Sequence, residues 1–129
     1  MRLFLFMLPL VLLGLLGCKR PSPTPAAYRQ ITPREAMEEL ETAEDFILLD
    51  VRTQAEFESG HIPGAICIPN ETIGTQDIPA LPRKEQSIYI YCRSGNRSKQ
   101  AAAKLARLGY TNLIEFGGIF EWPGEIVTE

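Results

Sequence analysis

The sequence has little of what several common kinds of site require. It contains one histidine and three cysteines, and no two cysteines form a C-x-x-C pair. This argues against a thioredoxin-type oxidoreductase and leaves no visible zinc-type ligand set. Acidic residues outnumber basic ones by 16 to 13, and no basic patch is interleaved with aromatic residues. We therefore expect no nucleic-acid partner and no bound metal.

The one long apolar run lies at the amino terminus and is too short for a comfortable membrane span. Arg2 precedes an almost wholly apolar stretch from Leu3 to Leu16, and Gly17 and Cys18 follow it. This arrangement resembles a bacterial lipoprotein signal, so residues 1–17 are expected to be a signal peptide and Cys18 to be lipidated. An ordinary secretory signal and an uncleaved anchor are the alternatives.

The segment after the signal reads as a tether rather than as part of a fold. Residues 18–27 contain three prolines in alternate positions, which favours a stiff, unstructured spacer. The lipid would anchor the domain to a membrane in the bacterial cell envelope, facing the periplasm. The choice between the inner and the outer membrane stays open.

Residues 28–129 are long enough for one small domain, and strand and helix patterns alternate along them. Two capping boxes, Thr32 with Glu35 and Thr53 with Glu56, predict helices from Thr32 to about residue 40 and from Thr53 to Gly60. A third helix is expected from the end of a loop to residues 108–109. Strands are expected at residues 28–31, 46–50, 65–68, 87–91 and 112–116, with residues 70–86 mostly loop and Gly117–Gly118 ending the last strand. Such alternation predicts a parallel sheet covered on both faces, with ligands at the carboxyl ends of its strands.

The most informative segment is the loop from Cys92 to Ser98, which reads C-R-S-G-N-R-S. An apolar run precedes it and a run of good helix formers follows it, which places the cysteine at the carboxyl end of a strand. Loop N–H groups and the positive end of a helix dipole favour an anion there. Arg93 and Arg97 add two cations, so the reactive thiolate is favoured over the thiol.

The third cysteine, Cys67, lies in a short apolar run and is expected to be a packing residue. A disulfide between Cys67 and Cys92 would end any chemistry at Cys92. The sequence leaves that pairing open.

Five motifs in a fixed order resemble those of a single-domain rhodanese and cover nearly all of residues 28–129. They are Leu49–Arg52, Glu56–Phe57, Gly60–Ala65, the Cys92–Ser98 loop, and Gly117–Gly118 with Trp122. The resemblance implies a rhodanese-like α/β fold, with a central parallel five-stranded sheet and helices on both faces. It also implies sulfurtransferase activity, in which the loop cysteine takes sulfane sulfur from a donor such as thiosulfate and passes it to cyanide, a thiol or a protein acceptor.

On this resemblance Cys92 is the nucleophile and carries the sulfur as a persulfide, with no cofactor beyond that covalent intermediate. The residues expected to bind the small sulfur anion are Arg93, Ser94, Gly95, Asn96, Arg97 and Ser98. Arg93 is expected to face the oxyanion, whereas Arg97 either does the same or braces the loop against an acid. Ser98 is expected to cap the helix that follows.

Three further residues are expected to support the loop. Asp50 and Arg52 are expected to pair beneath it, because buried charges pair. His61 lies in a Gly-His-Ile-Pro-Gly turn, which favours a bracing hydrogen bond over proton transfer, and Trp122 is expected to pack.

Two other functions compete with a sulfurtransferase. A cysteine phosphatase or arsenate reductase uses a Cys-x5-Arg loop, whereas this loop is one residue shorter, Cys-x4-Arg. A persulfide carrier or binding module would use the same loop without rapid turnover of small donors. The physiological donor, the acceptor, the pathway and the oligomeric state stay open.

Overall fold

A computed structural model describes residue 17 and residues 27–129. The signal peptide, the lipidated Cys18 and most of the tether that the sequence predicts lie outside the described residues. Among the described residues, no helix has the length and apolar character needed to cross a membrane.

Strands and helices alternate along the described chain. The strands are β1 (Arg29–Gln30), β2 (Phe46–Asp50), β3 (Ile66–Cys67), β4 (Ser87–Cys92) and β5 (Leu113–Gly118). The helices are α1 (Pro33–Thr42), α2 (Gln54–Ser59) and α3 (Asn96–Arg107), with 3₁₀ turns at Asn70–Thr72 and Ile119–Glu121. The first of these turns interrupts a segment predicted as loop, and α1 runs two residues beyond the predicted end.

The five strands form one parallel sheet in the order β1-β5-β4-β2-β3. One face of β4 packs its alternate residues Ile88, Ile90 and Cys92 into a cluster with Ala101 and Leu105 of α3. The other face packs Tyr89 and Tyr91 into a second cluster with Ala36 of α1. The predicted fold class, a five-stranded parallel α/β sheet with helices on both faces, is confirmed.

Local sequence signals set the ends of the helices. Capping boxes begin α1 and α2: the Thr32 and Thr53 hydroxyls accept from the Glu35 and Glu56 N–H groups, and each glutamate carboxylate accepts from the threonine N–H. Helix α3 begins differently, because its N-cap is Gly95 with φ of 114° and no side-chain cap. Only glycine adopts that conformation at little cost.

The prediction that Gly117–Gly118 ends β5 is wrong. The strand continues through both glycines, and Gly118 lies in register with Cys92 after an irregularity in the ladder. A Cβ atom at Gly118 would lie 2.0 Å from the Arg93 carbonyl oxygen. The glycine is therefore required because the backbone of the Cys92 loop passes directly over it.

Cys67 and Cys92 point to opposite faces of the sheet. Cys67 lies in register with Asp50, and Asp50 lies in register with Tyr91, the neighbour of Cys92. Strand β2 separates the two cysteines, which places their Cα atoms at least two strand spacings, about 9 Å, apart. A disulfide cannot bridge that distance, so both are free thiols and the pairing that the sequence left open is excluded in this fold.

Candidate active site

Cys92 is the last residue of β4, and its side chain is 1% exposed at the point where the chain turns into α3. Its Sγ atom accepts a hydrogen bond from the Gly95 N–H at 3.0 Å. The left-handed conformation of Gly95 aims that N–H back at the sulfur. Of the loop N–H groups that were predicted to converge on Sγ, the Gly95 N–H makes this hydrogen bond. Arg93, Ser94 and Asn96 are exposed around the loop.

Ser98 does not cap α3 as predicted, because it lies in the first turn and its hydroxyl turns inward. Its Oγ atom lies 3.4 Å from Cys92 Sγ and 2.9 Å from the Gly95 carbonyl oxygen. It also lies 2.6 Å from Oε1 of Glu115, a buried carboxylate on β5. Ser98 therefore links the sulfur to a charged group that the sequence analysis did not single out.

Arg97 braces the loop against an acid, which is one of its two predicted roles. Its Nη1 and Nη2 atoms donate to Glu56 Oε1 and Oε2 at 2.6 and 3.0 Å. The Arg97 hydrogen bonds are the main cause that lowers the pKa of the Glu56 carboxyl to about 2. The hydrogen bond to Glu56 also raises the pKa of Arg97, and the charge of the nearby Cys92 adds a smaller increment.

Arg93 remains outside any ion pair in the described chain, and its guanidinium lies over the exposed Phe120 ring, with Cζ 4.8 Å from the centroid. These two side chains line a cleft of about 240 Å³ together with Arg52, Glu56, Ser59 and Ile119. A stacked guanidinium keeps its N–H edges available to an anion. Arg93 is thus positioned beside the loop as the residue that can receive an anionic group.

Asp50, the last residue of β2, and Arg52, two residues further along the chain, form a buried ion pair. Arg52 Nη2 donates to Asp50 Oδ2 at 2.7 Å and to the Gly60 carbonyl oxygen at 2.6 Å. The pair fixes the chain between β2 and α2, and its removal would leave a buried charge without a partner.

His61 makes a bracing contact of the kind that its turn predicts. Its Nδ1 donates to the Phe57 carbonyl oxygen at 2.8 Å, and its ring stacks on Phe57 with centroids 3.7 Å apart. Its backbone bridges to Val127. Trp122 packs against Phe116, with ring centroids 5.8 Å apart.

The arrangement suits a nucleophilic sulfur whose products are anions. It provides a donor N–H to Sγ, the amino-terminal end of a twelve-residue helix and a guanidinium beside the loop. Within the described residues, no group of three or more His, Cys, Asp and Glu side chains gathers in a way that would hold a metal ion.

Comparison with known proteins agrees with this geometry. The family described as "Rhodanese-like domain" matches residues 32–125. The chain belongs to the rhodanese-like family.

Two curated relatives and one solved structure illustrate the similarity to other rhodanese-like proteins. A "Sulfurtransferase" of Allochromatium vinosum is 38% identical over 94 residues, which are 72% of this chain and 86% of that protein. "Thiosulfate sulfurtransferase PspE" of Escherichia coli is 34% identical over 71 residues, 55% of this chain and 68% of that protein. The solution structure of a rhodanese-like domain from Anabaena superposes with a TM-score of 0.70 at 27% identity, covering 78% of this chain and 79% of that chain.

Several other curated relatives are much longer proteins. The chain spans 24% to 25% of their length, so the similarity there is to one rhodanese-like portion.

The sequence did not predict the roles that two carboxylates, Glu56 and Glu115, have at this rhodanese-like site. Glu56 was recognised as a capping residue, but its ion pair with Arg97 joins residues 41 positions apart, which no local pattern indicates. Glu115 did leave a signal, because it is the one charged residue of an otherwise apolar strand. A charge in a buried strand requires partners, and one of them here is Ser98 of the active-site loop.

Proposed function

We propose that this protein is a sulfurtransferase that moves sulfane sulfur through a persulfide on Cys92. The observation that carries the proposal is the hydrogen bond from the Gly95 N–H to Cys92 Sγ at the start of α3. That geometry stabilises negative charge on a sulfur atom, which both the attacking thiolate and the persulfide bear. Membership of a family with sulfurtransferase relatives supports the same assignment.

The reaction proceeds in two displacements. The Cys92 thiolate attacks the outer sulfur of thiosulfate, the S–S bond breaks, and sulfite leaves with the electron pair. An acceptor such as cyanide or a thiolate then attacks the outer sulfur of the persulfide, and Cys92 leaves as thiolate. The sulfur atom is carried by the protein between the steps, so the chemistry calls for no cofactor other than the persulfide.

Arg93 is proposed to recognise the charged end of the donor. It lies at the cleft beside the loop, and its stacking on Phe120 holds the guanidinium while leaving donor N–H groups open. Arg97 contributes charge from a fixed position, because its Nη1 and Nη2 atoms both donate to the Glu56 carboxylate. The small sulfur anion is therefore contacted mainly by Arg93 and by the loop backbone.

The same observation weighs against phosphatase or arsenate reductase activity. A phosphate-binding loop directs its arginine at two anion oxygens, whereas the Nη1–Nη2 edge of Arg97 is directed at the Glu56 carboxylate. The loop is also one residue shorter than Cys-x5-Arg.

The test is thiocyanate formation from thiosulfate and cyanide by the full chain, with Cys92→Ser and Cys67→Ser in parallel. Activity that is lost in Cys92→Ser and retained in Cys67→Ser would support the proposal. Inactive wild-type protein that carries cyanide-labile sulfur on Cys92 would replace it with the persulfide carrier. Turnover of an aryl phosphate that depends on Cys92 would replace it with a phosphatase.

We also propose that the protein acts at the bacterial cell envelope through lipid on Cys18, facing the periplasm. The apolar run followed by Gly17 and Cys18 supports this location. Incorporation of labelled palmitate into the full chain in a bacterial host, and its loss in Cys18→Ala, would test the anchor. Unlabelled wild-type protein would contradict it.

A further inference from the structure

Glu115 is a buried carboxylate behind the active-site loop that the proposed sulfur transfer does not use. It lies in β5 between apolar neighbours and is 2% exposed. Burial of a carboxylate is costly unless hydrogen bonds satisfy its oxygens. The hydrogen-bond partners of the Glu115 carboxylate therefore show which neighbouring residues it acts on.

Both oxygens of Glu115 have partners. Oε1 accepts from the Gly117 N–H at 2.8 Å and lies 2.6 Å from Ser98 Oγ, while Oε2 accepts from the Gln30 amide at 3.2 Å. The 2.6 Å contact lies in the range of an O–H···O⁻ hydrogen bond. Glu115 thus makes its shortest hydrogen bond to the Ser98 hydroxyl, which also lies next to Cys92.

Ser98 has one proton and several acceptors around it. Its Oγ lies 2.6 Å from Glu115 Oε1, 2.9 Å from the Gly95 carbonyl oxygen and 3.4 Å from Cys92 Sγ. When the proton goes to the carboxylate, an Oγ lone pair is free to accept the Cys92 S–H. When the sulfur is an anion, the serine must donate to it instead, and Glu115 must then supply the other proton.

We propose that Cys92 and Glu115 share one proton through Ser98, so that Glu115 holds the proton when the sulfur is anionic. In the forward step the Sγ–H bond breaks and the electron pair stays on sulfur. The proton passes to Ser98 Oγ while the serine's own proton passes to Glu115 Oε1. The reverse step returns the proton to Cys92 after the sulfur has been handed on.

Glu115 is in this sense a positioning residue, because it acts on the sulfur through Ser98. Its negative charge also lies within two hydrogen bonds of Sγ, where a second anion is unfavourable. A pair that shares one proton titrates in two coupled steps rather than as two separate groups.

The charged groups around this pair are mostly engaged elsewhere. From α3, Arg97 is held by Glu56 of α2, and from the loop, Arg93 lies over Phe120. From β1, Gln30 is neutral, and its neighbour Arg29 pairs with Glu39 of α1. Substitution of Glu115 therefore changes one charge without freeing another.

The inference rests on Cys92 as the reacting group of the proposed function, but its test needs no turnover. The fraction of Cys92 thiolate in the full chain is measured against pH by its ultraviolet absorbance, with Cys92→Ser as the subtracted reference. In Glu115→Gln the amide cannot hold the shared proton, and the repulsion that Glu115 exerts once it is ionised is removed as well. The two-step profile of the wild type should become a single step.

Glu39→Gln is the control, although unlike Glu115→Gln it also frees a cation, the exposed Arg29. Glu39 is also a carboxylate that accepts from a hydroxyl, that of Tyr89 at 2.9 Å, and it lies on the other face of the sheet from Cys92. Its substitution should leave the thiolate profile unchanged. A single-step profile in the wild type, or an unchanged profile in Glu115→Gln, would overturn the shared proton, whatever the sulfurtransferase assay shows.

A second measurement does not depend on whether Glu115→Gln folds. The infrared C=O band of a protonated carboxyl should persist to higher pH in wild-type protein than in Cys92→Ser, because only the wild type has an anionic sulfur to share the proton. Coincident titration of that band in the two proteins would also overturn the proposal.

Discussion

Arg97 and Glu56 form a two-pronged ion pair that joins the first turn of α3 to the first turn of α2, with donor–acceptor distances of 2.6 and 3.0 Å. The same Glu56 carboxylate closes the α2 capping box with Thr53. One side chain therefore fixes the start of a helix and the active-site loop together. The loop is anchored from outside the sheet as well as by β4 and β5.

The first prediction concerns the pH range in which this ion pair stabilises the fold. The Glu56 pKa is lowered from 4.5 to about 2, so its contribution is complete above about pH 4.5 and is lost as the pH falls towards 2. Glu56→Gln should lower the free energy of unfolding by about 1 kcal/mol at pH 7, since the pair is partly exposed. Urea unfolding at a series of pH values should show this deficit shrinking below pH 4.5.

Glu58→Gln is the control for that series. Glu58 lies on the same helix and accepts only a hydrogen bond from the Gln54 amide within the described chain, so its substitution removes a carboxylate without an ion pair. Its effect should be small and nearly constant across the pH range. A Glu56→Gln deficit that stays constant from pH 7 to pH 2 would contradict the role given to the ion pair.

The second prediction separates the two thiols of the domain. Burial raises the pKa of the Cys67 thiol to about 11, and the charge of Asp50 adds to this. Only about one Cys67 in a thousand is then a thiolate at pH 8, so iodoacetamide should modify Cys92 first. Peptide mass spectrometry of briefly treated native protein measures the two rates, and equal rates would contradict the prediction.

A tenfold rise in the Cys67 rate per pH unit should follow between pH 8 and about pH 10. Urea-unfolded protein supplies the control, because there the two cysteines lose their different surroundings and should react at similar rates.

Sequence reasoning reached the parts of this molecule that local chemistry determines. The capping boxes at Thr32 and Thr53 predict where α1 and α2 begin. The position of Cys92 at the end of β4 is predicted because an apolar run precedes it and a run of helix-forming residues follows its loop. The roles of Glu115 and Gly118 were not reached, because each depends on a contact made by the active-site loop from a distant part of the chain. Register in a parallel sheet decides those contacts, and no pattern within one segment specifies it.

The third prediction concerns recognition of the donor. Arg93→Ala should raise KM for thiosulfate by about tenfold and leave KM for a neutral sulfur donor nearly unchanged, because Arg93 is proposed to bind charge. Phe120→Ala should raise the thiosulfate KM by a smaller factor, since the ring holds the guanidinium in place. Steady-state kinetics with both donors gives the comparison.

Lys99→Ala is the control variant for this experiment, as it removes an exposed positive charge from the first turn of α3, the helix that follows the loop of Arg93. It should change the thiosulfate KM by less than about twofold. An Arg93→Ala protein with an unchanged thiosulfate KM would transfer the recognition role to the loop backbone or to Arg97.

The fourth prediction tests the close approach of the active-site loop to β5. A Cβ atom at Gly118 would lie 2.0 Å from the Arg93 carbonyl oxygen and 2.7 Å from Ser94 Cα, and both contacts are to backbone that cannot rotate away. Gly118→Ala should therefore lower the free energy of unfolding by about 3 kcal/mol and displace the loop that carries Cys92. Gly74→Ala, where a Cβ meets nothing within 4 Å, should change stability by no more than about 0.5 kcal/mol. Urea unfolding measures the free energy of unfolding of both variants. Equal and small losses in the two would mean that the loop moves to accommodate the methyl group, and that Gly118 does not set the position of Cys92.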